Sequence, residues 1–351
     1  MPTRQKALLL KSKYGSFAVE EIGVPQPGPD QLLVKVEAAA LNPVDWKIQA
    51  WGFFCESFPA IIGFDGAGTV EEIGSEVTGF AKGDKVMFQG GINDAAGTFQ
   101  QYALTTATLT SKIPSGITID EAASIPAGLA TAALGLFDPY VFERSVRLYP
   151  PWEDGGRGRY AGKPMVVFGG ASCVGQFTIQ LAHLAGFRPI ITTASLRNTD
   201  FLVGLGATHV LDRNLPADVL QAEVRKITST PFDVVFDAIS LPETQNVAYD
   251  LTAPGGHLVL MWPDIVDQRR KSAQPFKNTL HVFGAMAAPQ NQKMGASLCS
   301  KLSKLLEEGA IKPMRVEVLP GGLGGVPEGL ERLKHDKVSA LKLVVHPQET
   351  A

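Results

Sequence analysis

The stretch that most constrains this chain is residues 164–185, where the apolar run PMVVFG passes directly into Gly170-Ala171-Ser172-Cys173-Val174-Gly175 and then into the periodic segment QFTIQLAHLA. In such a strand–turn–helix, the first glycine permits a tight turn and the last lets the helix pack on the strand. The helix N-terminus then offers N–H groups to a phosphate. The middle position is Ser172, whose hydroxyl can donate to a pyrophosphate. The loop therefore reads as a dinucleotide-binding turn, with a glycine-rich turn that binds nothing as the alternative. Cys173 reads either as a thiol activated at a helix start or as a small packed apolar residue.

Beyond Ala185 the chain keeps the same rhythm: PIITTAS, a helix running to Gly206, HVLD, ADVLQAEVRKIT, FDVVFDAI and GGHLVLMW. Near-continuous Val, Ile and Phe runs alternate with amphipathic helices, which requires a parallel sheet covered on both faces in a doubly wound α/β domain. A site selective for NAD places Asp or Glu about 20 residues beyond the glycine loop to hold the ribose 2′-hydroxyl. Here the end of the second strand reads Ala194-Ser195-Leu196-Arg197-Asn198, with no carboxylate before Asp200. Ser195 and Arg197 suit a 2′-phosphate, and Arg213 after the third strand adds a second guanidinium, so NADPH is the expected cofactor. A solvated surface arginine is the alternative reading of Arg197.

Residues 1–125 have a different texture. Short strands such as LLVKVEAAA (32–40), GAGTVEEIG (66–74), DKVMFQG (84–90) and TFQQYALT (98–105) are separated by turn clusters like Pro25-Gln26-Pro27-Gly28-Pro29. This half reads as a β-rich barrel. Residues 138–162 mix Pro, Gly and charge without a period and read as a surface excursion, while a helix at 294–309 and a strand at 340–347 read as a return to the first domain. The expected division is 1–125 with 286–351 as one domain and 126–285 as the dinucleotide-binding domain.

Composition limits the partners. Thirty-two basic against 35 acidic residues give a net charge of −3, so no global positive field draws the chain to nucleic acid or to an anionic membrane. The three-leucine run near the start falls short of the 7–15 apolar residues of a signal peptide, and nothing approaches the ~20 of a membrane span. Three widely spaced cysteines (Cys55, Cys173, Cys299) fit a reducing compartment, and a cytoplasmic location is expected.

Several motifs carry a resemblance over nearly the whole chain: Ala40-Leu41-Asn42-Pro43-Val44-Asp45-Trp46-Lys47, Gly63-Phe64-Asp65-Gly66-Ala67-Gly68, Gly79-Phe80-Ala81-Lys82-Gly83-Asp84, Ile125-Pro126-Ala127-Gly128-Leu129-Ala130-Thr131, and the glycine loop. With these the chain resembles the medium-chain dehydrogenase/reductase superfamily. That resemblance implies a GroES-like barrel domain beside a Rossmann domain. Zinc members of the superfamily hold a catalytic metal at positions that here are Asn42, Phe64 and about Ala127, none a good zinc ligand, and the four-cysteine structural-zinc lobe is absent. The similarity is therefore greatest to zinc-independent quinone oxidoreductase-like members, and among them to fungal trans-acting enoyl reductases and their stand-alone relatives. One departure stands out: where many such reductases carry a tyrosine, this chain has Trp51-Gly52-Phe53-Phe54.

The resemblance implies NADPH-dependent reduction of the C=C bond of an α,β-unsaturated carbonyl, with an enone or acyl thioester as substrate and a polyketide synthase as partner. Lys47 and Thr131 match the subgroup's lysine and threonine. Lys47 is the expected stabiliser of charge developing on the carbonyl oxygen, and Thr131 the residue orienting substrate or nicotinamide. A cofactor-phosphate contact or a surface lysine is the other reading of Lys47, and a packing hydroxyl that of Thr131. Trp51, Phe53, Phe54 and Phe88 are expected to line an apolar substrate pocket, with the core as their alternative place. A quinone or carbonyl/alcohol oxidoreductase, or a non-catalytic NADPH-binding protein, would share the same cofactor residues.

Overall fold

The computed structural model of the chain describes residues 2–92 and 95–351. Contacts divide it into two units: Met1–Ala127 with Gly295–Glu307 and Pro313–Ala351, and Gly128–Met294 with Glu308–Lys312. Residues 286–294 stay with the second unit, where the Asn291 side chain donates to the carbonyls of Phe283 and Ala285. The short segment 308–312 is held there too, by Gln180, which donates to the Lys312 carbonyl and accepts its N–H.

The first unit is built on strands β1 (Arg4–Leu10), β2 (Phe17–Gly23) and β3 (Gln31–Ala40), helix α1 (Pro43–Trp51), strands β4 (Ala60–Ile61), β5 (Asp65–Ile73), β6 (Lys85–Gln89), β7 (Tyr102–Thr106) and β8 (Thr110–Lys112), and helix α2 (Ile119–Ala123). Helix α3 (Pro126–Phe137) then leads into the second unit. That unit runs β9 (Met165–Phe168), α4 (Cys173–Ala185), β10 (Ile190–Ala194), α5 (Thr199–Gly204), β11 (His209–Asp212), α6 (Ala217–Ile227), β12 (Phe232–Asp237), α7 (Pro242–Leu251), β13 (Thr252–Leu260), α8 (Gln268–Ala273) and β14 (Asn278–His281). Helix α9 (Gln292–Glu307) returns the chain to the first unit, which closes with β15 (Arg315–Val318), α10 (Val326–Lys334) and β16 (Leu341–Val345).

In the first unit the main sheet runs β15-β16-β3-β5-β6-β8, with β7 also on β3, and a smaller sheet runs β2-β1-β4. Strand β3 is buried along most of its length because β5 and β7 both pair with it, and Leu32, Val34, Val36 and Ala39 join Phe88, Phe99 and Leu343 in the core. The register of β16 on β3, Val344 against Ala40, brings the last strand to the start of α1.

The second unit is a parallel sheet in the order β11-β10-β9-β12-β13-β14. Strands β10 and β11 step away from β9 on one side and β12, β13 and β14 on the other. The switch in direction, between β9 and β12, is where doubly wound sheets open a ligand crevice at their carboxyl ends. The excursion at 138–162 lies largely at the surface, as expected, and is tied down at a few buried points. Its backbone bonds to the end of α3 through Val146 to Gly135 and Leu148 to Leu136, and buried Trp152 meets Phe137 edge to face at 5.5 Å. Burying that indole outweighs the irregular local composition.

Candidate functional site

At the head of α4 the glycine loop has the geometry its sequence requires. A Cβ on Gly175 would lie 2.2 Å from the Gly169 carbonyl, so that position admits only glycine, and one on Gly170 would lie 2.2 Å from the Thr192 hydroxyl, which would have to give way. Ser172 is the N-cap: its hydroxyl accepts the Gly175 N–H at 3.1 Å, which leaves its own proton to donate. The N–H groups of Ala171 and Val174 are not taken by any acceptor among the described residues. A cradle of backbone donors at a helix N-terminus with a hydroxyl beside it fits a pyrophosphate. Cys173 faces α3, its sulfur 2.3 Å from where a Cβ on Gly128 would stand, so the thiol fills the space that glycine leaves.

The residues read as 2′-phosphate partners lie at the carboxyl ends of adjacent strands. Ser195 caps the short helical turn Leu196–Asn198, Arg197 within it is exposed, and Asn198 is buried with its N–H on the Ser195 carbonyl. Exposed Arg213 follows β11 and bonds back to the Ala194 carbonyl. Asp212, opposite Ala194 in the register, turns its carboxylate to the Asn214 amide. Thr131 is nearly buried on α3 and packs on the backbone at Gly284, where a Cβ would fall 2.2 Å from its hydroxyl. Lys47 belongs to the other unit.

Lys47 lies on α1, half-buried, with its ammonium 5.5 Å from the Trp46 ring and 5.3 Å from the Trp51 ring. Burial pushes its pKa down to about 8, partly opposed by the Asp336 carboxylate. Helix α1 ends at Gly52, whose φ of +66 turns the chain into Phe53 and Phe54; a Cβ there would strike the Lys13 and Tyr14 side chains. Trp46, Trp51, Phe53 and Phe54 form a chain of ring contacts at 5.4, 6.1 and 4.6 Å, with Trp51 and Phe54 half exposed. Phe88 stands apart from this cluster. It is 1% exposed in the barrel core, where it packs over Gly66, because β6 pairs on both edges and turns it inward.

Beneath α1 lies a buried polar cluster that sequence reasoning missed. Lys342 on β16 donates to Asp65 at 2.8 Å and to the Asn42 side-chain oxygen Oδ1 at 2.6 Å, and the Asn42 side-chain amide donates to Asp65 at 2.8 Å. Asp65 also accepts the Ala127 N–H at 2.6 Å, at the start of α3. Asp45, fully buried, accepts the Asn42 N–H to cap α1, and burial pushes its pKa up to about 8. Of the three positions that the resemblance equates with zinc ligands, Asn42 and Ala127 are thus engaged with Asp65, and Phe64 packs against the core. The signal for α1 was local: Pro43 stands at the first helical position, and Asp45, three residues after Asn42, accepts the Asn42 N–H.

Residues 28–115 match the alcohol dehydrogenase GroES-like domain and residues 173–292 the zinc-binding dehydrogenase family. The trans-enoyl reductase caaB of Aspergillus niger is 32% identical, over 98% of this chain and 97% of that one. The trans-enoyl reductase himH of Aspergillus japonicus is 33% identical, over 97% and 96%. The chain belongs to the medium-chain dehydrogenase/reductase superfamily. Its two units carry that superfamily's GroES-like and Rossmann folds, and the chain is an oxidoreductase of a class that uses nicotinamide dinucleotides. The quinone oxidoreductase of Coxiella burnetii shares the fold with a TM-score of 0.72 at 25% identity, over 97% of this chain and 98% of that one. No described helix of this superfamily member is long and apolar enough to cross a membrane.

Proposed function

We propose that this protein reduces the C=C bond of an α,β-unsaturated carbonyl at the expense of NADPH, working in trans on acyl thioesters carried by a polyketide synthase in the cytoplasm. The observation that carries the reading is similarity along essentially the whole chain, at 32 and 33% identity, to two proteins named trans-enoyl reductases. The Rossmann unit is the cofactor domain and the GroES-like unit the substrate domain in this proposal.

NADPH, when bound, supplies the hydride. The Ser172 hydroxyl and the N–H groups opening α4 take the pyrophosphate, and Ser195 with Arg197 and Arg213 takes the 2′-phosphate. Negative charge gathers on the carbonyl oxygen as the β-carbon is reduced. The Lys47 ammonium, held over two indole rings, offers its charge there, which favours the transition state over the ground state. Thr131 orients the reacting groups, and Trp51, Phe53 and Phe54 give the acyl chain an apolar surface while excluding water.

The test is to follow NADPH oxidation with a short enoyl thioester, its saturated ketone counterpart and a quinone. The proposal requires turnover of the enoyl thioester well above both others. Preferential turnover of the quinone or ketone would replace it with a quinone or carbonyl reductase, and binding without turnover of any of the three with a non-catalytic role.

A further inference from the structure

Strand β12 ends at Asp237, which is 0% exposed and whose carboxylate no sequence motif brought forward. It lies on the β9 to β12 side of the sheet's switch in direction. Its Oδ1 accepts the N–H groups of Ile239 at 3.0 Å and Ser240 at 2.8 Å, and its Oδ2 accepts the Thr244 hydroxyl at 2.7 Å. Ser240, in turn, adopts a left-handed backbone with φ of 57°, which a non-glycine residue takes only when its surroundings hold it there. Its hydroxyl donates to the Asp237 carbonyl and accepts the Met261 N–H, both at 2.8 Å. Fully buried Gln245 donates to the carbonyls of Ser240 and Pro263 and accepts the Ile265 N–H. The carboxylate thereby holds the loop after β12, and Ser240 and Gln245 tie the loop after β13 to it.

That locked segment rests on the glycine loop. The Ala238 N–H bonds to the Phe168 carbonyl, and Ile239 reaches within 2.4 Å of where a Cβ on Gly169 would stand. We propose that Asp237 is the positioning residue of the cofactor site, holding residues 238–241 against the glycine loop so that the crevice is preformed for the dinucleotide. This rests on the reading of the Rossmann unit as the NADPH domain. Burial pushes the Asp237 pKa up to about 6, against the pull of its three donors. An ionised Asp237 is thus a cost to folding. An amide there would spare that cost, but it offers one acceptor oxygen where the carboxylate offers two.

The experiment compares Asp237→Asn and Thr244→Val with the parent chain at neutral pH, measuring NADPH affinity by fluorescence titration, the KM for NADPH, kcat, and the thermal midpoint without cofactor. The expected result is an NADPH Kd about tenfold higher in Asp237→Asn, with KM rising more than kcat falls and the cofactor-free midpoint held or raised. Thr244→Val, which keeps the carboxylate and its two N–H donors, should show a smaller rise in the same direction. Parent-like NADPH affinity in both variants overturns the inference, as does a lowered midpoint in Asp237→Asn with its affinity intact, which would make the carboxylate merely structural. If Asp237→Asn does not fold, parent-like affinity in Thr244→Val overturns it. A parent protein that fails to bind NADPH refutes the cofactor reading instead, and the two failures are distinguished by that first titration.

Discussion

The Lys342 ammonium stands 2.8 Å from the Asp65 carboxylate with both side chains withdrawn from solvent, and the same carboxylate accepts the N–H that opens α3. One buried ion pair therefore joins the last strand, β5 and the start of the helix that carries Thr131. Removing one partner of such a pair strands the other charge, which costs about 3–5 kcal/mol. Lys342→Met should lower stability to urea by that order. Combining it with Asp65→Asn should recover part of the loss, and strict additivity of the two changes would show that the residues are not coupled.

His346, just beyond β16, bonds Asp120 on α2 at 2.8 Å and Glu349 at 3.0 Å. Burial disfavours its charged form, but the two carboxylates more than offset this, and its pKa is raised above 6.5. The folded protein therefore holds the proton more tightly than the unfolded chain. The resulting stability is fully present below about pH 6.5 and is lost as pH rises through the higher folded value. Because Glu349 is well exposed, the effect should be near 0.5–1 kcal/mol. Urea midpoints of the parent should fall across this window, and those of His346→Gln should fall less.

In the proposed cofactor site, Arg197 and Ser195 take the place of the acid of an NAD-selective site. Arg197→Ala should weaken NADPH by about 1–2 kcal/mol and leave NADH nearly unchanged. Titrations of both cofactors against the parent and the variant check this, and equal affinities in the parent would speak against a 2′-phosphate site.

Sequence patterning carried the architecture where it acts locally. The apolar runs at β9, β10, β12 and β13, the glycine loop, and the strands β3, β5 and β6 all follow from periodicity and from glycine and proline at their ends. Helix α3 has no polar face to mark it, since it is buried nearly all round, and β1 and β2 are one hairpin of short strands whose pairing alone defines them. The site divides in the same way. The cofactor loop is contiguous and was legible, whereas Asn42 and Lys342, separated by 300 positions, meet only through the register of β16 on β3. Phe88 and Trp51 look alike as letters, and only the pairing of β6 separates the core ring from the exposed one.

Lys47 acts as an ammonium in the proposed reaction, so activity should fall as pH rises through about 8, where its proton is lost. Lys47→Met should reduce the rate about tenfold or more with NADPH affinity intact, and should flatten that alkaline limb. A variant that binds NADPH poorly yet turns over normally at saturating cofactor would make Lys47 a phosphate contact.

The most direct test of the proposed chemistry is the fate of a labelled hydride. Reaction of an enoyl thioester with NADPH carrying deuterium at the transferable position, analysed by mass spectrometry and NMR of the product, should give a saturated thioester with deuterium on the β-carbon and a solvent-derived proton on the α-carbon. Deuterium on the former carbonyl carbon, or the unsaturated thioester recovered unchanged beside consumed NADPH, would contradict it.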